Sequence, residues 1–303
     1  MSLHIDGVEI VDTFAEAFSM TAARAILTAD TPRWAAIAAR VMTGYGTSVI
    51  GCDAEAGVEA ELSPGDTPDG RPGVALLFFA FSRDALQKAL VNRVGQCVLT
   101  CATTACFNGL PVTDRSVRVG GNLRYFGDGL QISKLHGDRR FWRVPTMDGE
   151  FLCEDLFGTV KGVAGGNLIL LGTSQAVTLE AAERAAAACR AVPGVILPFP
   201  GGIVRSGSKV GSKYKALKAS VNEAYCPTLR GAVPHTALPD GVNAAYEVVI
   251  DGVDLAAVEE AMRRGIHAAA GPGVVRITAG NYGGKLGPHH LHLHQLHGPV
   301  TPC

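Results

Sequence analysis

The chain has 303 residues, of which 47% are apolar and 18% charged, and its formal net charge is −1. That length suits two ordinary domains with a sizeable core, the composition excludes a disordered chain, and near-neutrality argues against a nucleic-acid partner. The N-terminus, MSLHIDGVEIVDTFAEAF, has no basic stretch before an apolar run, and apolar windows such as residues 74–81 are too short to span a bilayer. The expectation is a cytosolic protein with no membrane partner. The eight cysteines then read as reduced, mostly buried side chains.

In chain order, Thr31-Pro32 is a cap followed by proline at the first turn, opening a helix that ends before Gly44. A β-run, VALLFF (74–79), leads to Ser82 as N-cap and to a helical stripe of Leu86, Leu90 and Val94. A second β-run, QCVLTC (96–101), follows and places Cys97 and Cys101 on one strand face. Residues 114–155 are richer in charge and turns, and a boundary near 145–149 divides the chain into expected lobes of 1–147 and 148–303. An alanine-rich helix is expected from Thr178 to Val192, stopping at Pro193-Gly194.

The later part repeats the earlier pattern. YEVVI (246–250) is a strand and Asp254 a cap. The helix that follows carries Glu259/Arg263 and Glu260/Arg264 at i,i+4 and stops near Gly271-Pro272, after which GVVRIT (273–278) starts another strand. Both segments end in an Asn-containing turn, Phe107-Asn108-Gly109 and Gly280-Asn281-Tyr282-Gly283. One strand–helix–strand unit in each half predicts an α+β fold of two ferredoxin-like (α/β-plait) lobes, with helices packed on antiparallel or mixed sheets.

The tract 198–229, PFPGGIVRSGSKVGSKYKALKASVNEAYCPTL, is the main candidate for binding. Gly201, Gly202, Gly207 and Gly211 let backbone approach a ligand, and Ser206, Ser208, Ser212, Asn222 and Tyr225 offer hydrogen bonds. Lys209, Lys213, Lys215 and Lys218 add positive charge. Interspersed Val210, Tyr214, Leu217 and Val221 argue for an ordered loop. The glycine-to-lysine spacing is not that of a phosphate-binding P-loop, and GNYGGKL (280–286) lacks the Ser or Thr after Lys285. The lysines suit another anion, such as the carboxylated or phosphorylated tail of a larger ligand.

Three other groups hold potential chemistry. HHLHLHQLH (289–297) alternates histidine with leucine, which predicts a strand presenting His290, His292 and His294 on one polar face; zinc held there is the alternative. Cys226 lies inside the binding tract, but the nearest histidine is His235, so covalent catalysis lacks a nearby base in the sequence. Glu247 is the second residue of the apolar YEVVI strand and shares a face with Ala245 and Val249. Desolvated there it would be a proton donor at neutral pH; a strand-end glutamate reaching solvent is the plainer reading of the residues alone.

Several stretches together carry a family resemblance. DTFAEAF (12–18), TGYGTSVIGCDAEAG (43–57), TPDGRPGV (67–74), GQCVLT (95–100), FGDG (126–129), GVAGGN (162–167), the 198–229 tract and AGNYGGKLG (279–287) resemble, in order and spacing, the formylmethanofuran–tetrahydromethanopterin formyltransferases. The near-neutral, alanine-rich composition is similar to the branch from methylotrophic bacteria, where the enzyme resembles a subunit of a formyltransferase/hydrolase complex. The resemblance implies a homotetramer, with other complex subunits as partners. It implies formyl transfer between methanofuran and tetrahydromethanopterin, both co-substrates with anionic tails, and no tightly bound metal or redox cofactor. It also turns the reading of Glu247 from solvated strand end to catalytic acid. Substrate contacts are expected at Gly201, Gly202, Ser206, Lys209, Lys213, Asn222, Cys226 and Asn281.

Overall fold

The structure is a computed structural model and describes residues 2–206 and 222–298. In chain order the elements are β1 (Leu3–Ile5), β2 (Val8–Ile10), β3 (Phe14–Thr28), α1 (Pro32–Thr43), β4 (Glu55–Leu62), β5 (Gly73–Ala80), α2 (Arg83–Arg93), β6 (Ala105–Asn108), β7 (Val117–Arg118) and α3 (Gly120–Leu123). There follow β8 (Ile132–His136), β9 (Arg139–Thr146), β10 (Gly149–Glu154), β11 (Leu156–Phe157), β12 (Val160–Gly172), α4 (Gln175–Arg190), β13 (Val195–Ile196), β14 (Ala244–Gly252), α5 (Leu255–Ala269), β15 (Val274–Thr278) and β16 (His289–His292). No helix among the described residues is long and apolar enough to cross a membrane.

Two compact units form, one from residues 20–162 and one from 1–19 with 163–303. This partition differs from a cut after residue 147, and strand pairing explains why. The N-terminal β2 pairs parallel with β15, and the start of β3 pairs with β16, so the first residues join the C-terminal part. Conversely β10 pairs with β6 and β9, which keeps residues just past 147 with the N-terminal part.

In the 20–162 unit, β3, α1, β4, β5, α2 and β6 form an antiparallel sheet in the order β6-β3-β5-β4. That is the ferredoxin-like arrangement, with each helix crossing over between strands that are not neighbours. Its helices are capped as the sequence indicates: Thr31 accepts from Trp34 N and Ser82 from Ala85 N. Leu76 and Phe78 of β5, Leu27 of β3 and Leu86 and Leu90 of α2 are buried in one core. The antiparallel run β10-β9-β8 extends this sheet through the parallel β10–β6 pair.

The expected strand at residues 96–101 is absent. The chain stays helical through a π-turn at Val94–Val98, where Leu99 N bonds Val94 O at 2.9 Å, and β6 begins only at Ala105. Val94 and Val98 continue the buried stripe of Leu86 and Leu90. Helical spacing of apolar residues therefore outweighs the β-propensity of the segment. Cys97 and Cys101 consequently lie half-buried on helix and turn, not on a strand face.

In the other unit, β12, α4, β13, β14, α5 and β15 repeat the arrangement in the order β15-β12-β14-β13. Ser174 caps α4, starting it before Thr178, whose hydroxyl donates to Ser174 O at 2.6 Å. Asp254 caps α5 by accepting from Ala257 N at 2.8 Å. On α5, Arg263 and Arg264 both turn to Glu260. Small residues on α4 (Ala181, Ala182, Ala185, Ala186) let it pack with α5, whose Val258, Met262 and Ile266 join Leu168, Leu170, Val248, Ile250 and Ile277 in one core. β16 covers only His289–His292; the chain then turns at Leu293–Gln295 to bury Leu293 and Leu296, which takes His294 off the strand.

Candidate active site

Alternation along β14 decides what Glu247 faces. Val248 and Ile250 point into the core beneath α4 and α5, so Glu247, Ala245 and Val249 occupy the opposite face. Register carries that face across three strands: Ile169 of β12 lies opposite both Glu247 of β14 and Thr278 of β15. Residues after the 198–229 tract's central part cover it, with Tyr225, Leu238 and Val242 packed on Ile169 and Leu171.

The first residues of the tract come to the free edge of Glu247. Pro200–Gly202 makes a tight turn in which Gly201 (φ 65°) and Gly202 (φ 79°) take the left-handed conformation that favours glycine. A Cβ on Gly202 would also lie 2.8 Å from Leu197 Cδ1. The turn sets Val204 beside Glu247, with Val204 N donating to Glu247 O at 2.7 Å and Glu247 N to Val204 O at 3.1 Å.

The Glu247 carboxylate then meets two neutral partners. Its Oε2 accepts from Asn222 Nδ2 at 3.3 Å and from Ser206 Oγ at 3.4 Å, and Asn222 also donates to Ser206. Burial raises the carboxyl from its ordinary 4.5 to about 6, against the lowering effect of Ser206 and Asn222. Burial likewise pushes up the phenol of Tyr225. A half-buried carboxyl poised near neutrality, with hydrogen-bonding neighbours and no salt-bridge partner among the described residues, can deliver and recover a proton.

The model of the family "Formylmethanofuran-tetrahydromethanopterin formyltransferase" matches residues 3–146, and the companion model for its proximal lobe matches residues 149–296. The chain belongs to this formyltransferase family. It is 55% identical over 302 residues to a subunit of the formyltransferase/hydrolase complex of Methylorubrum extorquens, covering 96% of each chain. It is 55% identical to the formylmethanofuran–tetrahydromethanopterin formyltransferase of Methylococcus capsulatus, covering 96% of this chain and 99% of the relative. Among solved structures, the Methylorubrum extorquens formyltransferase/hydrolase complex with methylofuran aligns at TM-score 0.93 and 54% identity, covering 98% of this chain and 99% of that one. The Methanosarcina barkeri formyltransferase aligns at TM-score 0.90 and 49% identity, covering 97% and 100%. The α+β architecture of two ferredoxin-like lobes is therefore the formyltransferase architecture.

Of the residues singled out in the sequence, the fold brings Ser206, Asn222 and Glu247 together. Cys226 stands next to this group, its Sγ donating to Asn222 O at 3.4 Å. Burial, reinforced by Glu223, raises the Cys226 thiol, which disfavours a nucleophilic thiolate. Gly201 and Gly202 shape the turn that leads to the site, and the Gly202 N–H is engaged by Phe199 O at 2.7 Å. Asn281 uses its amide locally, donating to Phe14 O at 3.1 Å and Thr13 Oγ1 at 3.2 Å and accepting from Gly283 N at 3.0 Å. Lys209 and Lys213 lie outside the described residues.

The histidine tract has structural partners. His290 and His292 pack in tilted contact with Phe14, at ring-centroid distances of 4.7 and 5.3 Å, and His294 Nε2 is 2.8 Å from Ile10 O. Among the described residues no His, Cys, Asp and Glu group is arranged to hold a metal.

Sequence reading passed over Glu16, although its signal matches that of Glu247: a lone carboxylate in an apolar strand, FAEAF. Glu16 is 2% exposed, and desolvation alone would raise its carboxyl. Backbone N–H groups of Gly287, Leu286, Tyr282 and Gly284 together outweigh that effect and bring it down to about 2.

Proposed function

We propose that this protein moves a formyl group between N5 of tetrahydromethanopterin and the amine of methanofuran, in one-carbon metabolism on the route from formaldehyde to formate. Both carriers act as co-substrates in a ternary complex. The nitrogen lone pair of the acceptor attacks the formyl carbon, and the carbonyl π pair moves onto oxygen. The tetrahedral intermediate collapses as the C=O bond reforms and the bond to the donor nitrogen breaks. The departing nitrogen gains a proton and the attacking nitrogen loses one. Glu247 supplies the first proton as acid, and its carboxylate takes up the second. The enzyme otherwise contributes orientation of the two carriers.

Support for this role comes above all from Glu247: a half-buried carboxyl raised to about 6 and fixed by Ser206 and Asn222. A homotetramer in the cytosol, working with further subunits of a formyltransferase/hydrolase complex, is the assembly we favour. The test of function is formyl exchange by the purified chain, supplied with formyl-tetrahydromethanopterin and methanofuran. Sustained exchange is expected; none by a folded chain would remove an independent catalytic role.

A second reading rests on the similarity to a subunit of a larger complex. In it the chain is a non-catalytic organiser of the complex. No exchange by the chain alone, with activity only in the assembled complex, would favour that role.

A further inference from the structure

The loop of residues 280–287 is folded around one carboxylate. Glu16 lies on β3 opposite His290 of β16, on the strand face away from Ala15, Ala17 and Leu291, which are in the core. Its Oε2 accepts from Tyr282 N at 2.6 Å and Gly284 N at 2.9 Å. Its Oε1 accepts from Leu286 N and Gly287 N, both at 2.6 Å. A carboxylate offers roughly four lone-pair positions, and here backbone donors of a single loop occupy them. Gly283 and Gly284, at φ 71° and 70°, make the turn that aims these N–H groups inward.

The same loop is seated at three further points. Asn167 of β12 brackets its first residue, accepting from Gly280 N at 2.6 Å and donating to Gly280 O at 3.1 Å. A Cβ at Gly287 would lie 2.4 Å from Ala17 O, so backbone lies against backbone there. A Cβ at Gly284 would lie 2.9 Å from His290 Cε1. Asn281 closes the turn from within. With the backbone held this way, Lys285 is left exposed, and no carboxylate among the described residues pairs with it.

Asn167 also relates the loop to Glu247. It is two residues before Ile169, the cross-strand partner of Glu247, so its side chain lies on the Glu247 face. Two residues along a strand are about 7 Å. Gly280 follows two residues after Thr278, which ends β15 and the same cross-strand row.

We propose that Glu16 is a positioning residue for formyl transfer: it fixes the 280–287 loop beside the Glu247 face so that Lys285 docks the anionic tail of one carrier. This rests on the formyl-transfer reading above. A carboxylate tail and a phosphate tail share the required chemistry, and separate measurements with each carrier distinguish them.

The experiment compares the full-length wild type with Glu16→Gln, Lys285→Ala and the double variant. The Gln amide places N–H groups against N–H donors, so amides of Tyr282, Gly284, Leu286 and Gly287 should exchange hydrogen roughly 10-fold faster or more. KM for one carrier should rise roughly 10-fold while kcat changes less than about 3-fold. Lys285→Ala should weaken the same carrier, with the double variant no worse than Glu16→Gln. Faster loop exchange with both KM values unchanged would make Glu16 a structural anchor only and overturn the proposal. So would a Lys285→Ala chain with wild-type KM for both carriers, a result that stands even if Glu16→Gln fails to fold. A wild type without exchange activity would sink the formyl-transfer reading instead; calorimetric titration of methanofuran and of tetrahydromethanopterin into wild type and Lys285→Ala would then decide the docking role separately.

Discussion

Asn222 Nδ2 donates to Glu247 Oε2 at 3.3 Å, joining the last part of the binding tract to the strand that carries the acid. Ser206, from the first part of the tract, reaches the same oxygen at 3.4 Å. The two described ends of the tract therefore hold the proposed acid. Both contacts favour the ionised form and limit the rise that burial causes.

Replacing Glu247 by Gln removes the titrating group while keeping shape and much of the hydrogen bonding. Turnover in formyl exchange should fall by about 100-fold or more, with carrier binding little changed. The wild-type rate should depend on a group titrating at about 6, and that limb should vanish in the variant. An unchanged turnover number would remove Glu247 from the mechanism.

Asn222→Ala takes away a donor that lowers the Glu247 carboxyl. The limb near 6 should then shift to higher pH, which a pH–rate profile of the exchange reaction reads directly. A shift downward would contradict the geometry.

Glu247 also links stability to pH. Its folded carboxyl, at about 6, is above its ordinary 4.5, so the folded state holds a proton that the unfolded state has released. Stability from this group is present below 4.5 and is lost as pH rises through about 6. Glu247→Gln should therefore be more stable than wild type above that pH, by about 1–2 kcal/mol, and the two should converge in acid. Denaturant titrations at several pH values measure it.

Glu16 has the opposite sign. Its folded carboxyl, at about 2, is below the ordinary 4.5. The stability it contributes is complete above 4.5 and is lost as pH falls toward about 2. The gap in melting temperature between wild type and Glu16→Gln should be widest near neutrality and close through that acid window.

In the 20–162 unit, Arg139 clamps Glu154 through two hydrogen bonds, Nε to Oε1 at 2.8 Å and Nη2 to Oε2 at 2.6 Å. The Glu154 side chain is 3% exposed beneath a guanidinium that is itself 41% exposed, and Asn108 N at 3.0 Å is a remaining donor. Arg139→Ala should destabilise the protein by about 2–4 kcal/mol, measured by denaturant unfolding, without moving the Glu247 pH limb.

Periodicity and capping chemistry are local, and they are readable along the chain. Thr31, Ser82 and Asp254 cap helices because a short oxygen-bearing side chain meets the orphan N–H groups of a first turn wherever such a turn begins. Alternation in YEVVI likewise establishes that Glu247 is on the face opposite Val248. The strand expected at residues 96–101 shows the limit of such reading. Val94 and Val98 suit a strand or a helix, and burial beside Leu86 and Leu90 settles them as helical.

Glu16 and Glu247 mark the boundary most clearly. Each is a single carboxylate in an apolar strand, FAEAF or YEVVI, and nothing along the chain separates them. Sequence alone establishes the family, the two strand–helix–strand units and the presence of carboxylates where burial is costly. What surrounds each carboxylate depends on segments far away in the chain. Around Glu16, residues 282–287 bring four backbone N–H donors, which stabilise charge strongly enough to outweigh desolvation. Around Glu247, Ser206 and Asn222 bring only neutral side-chain donors at longer distances, and desolvation wins. The number and distance of donors, which folding alone assembles, make one carboxylate a permanent anchor and the other a titratable acid.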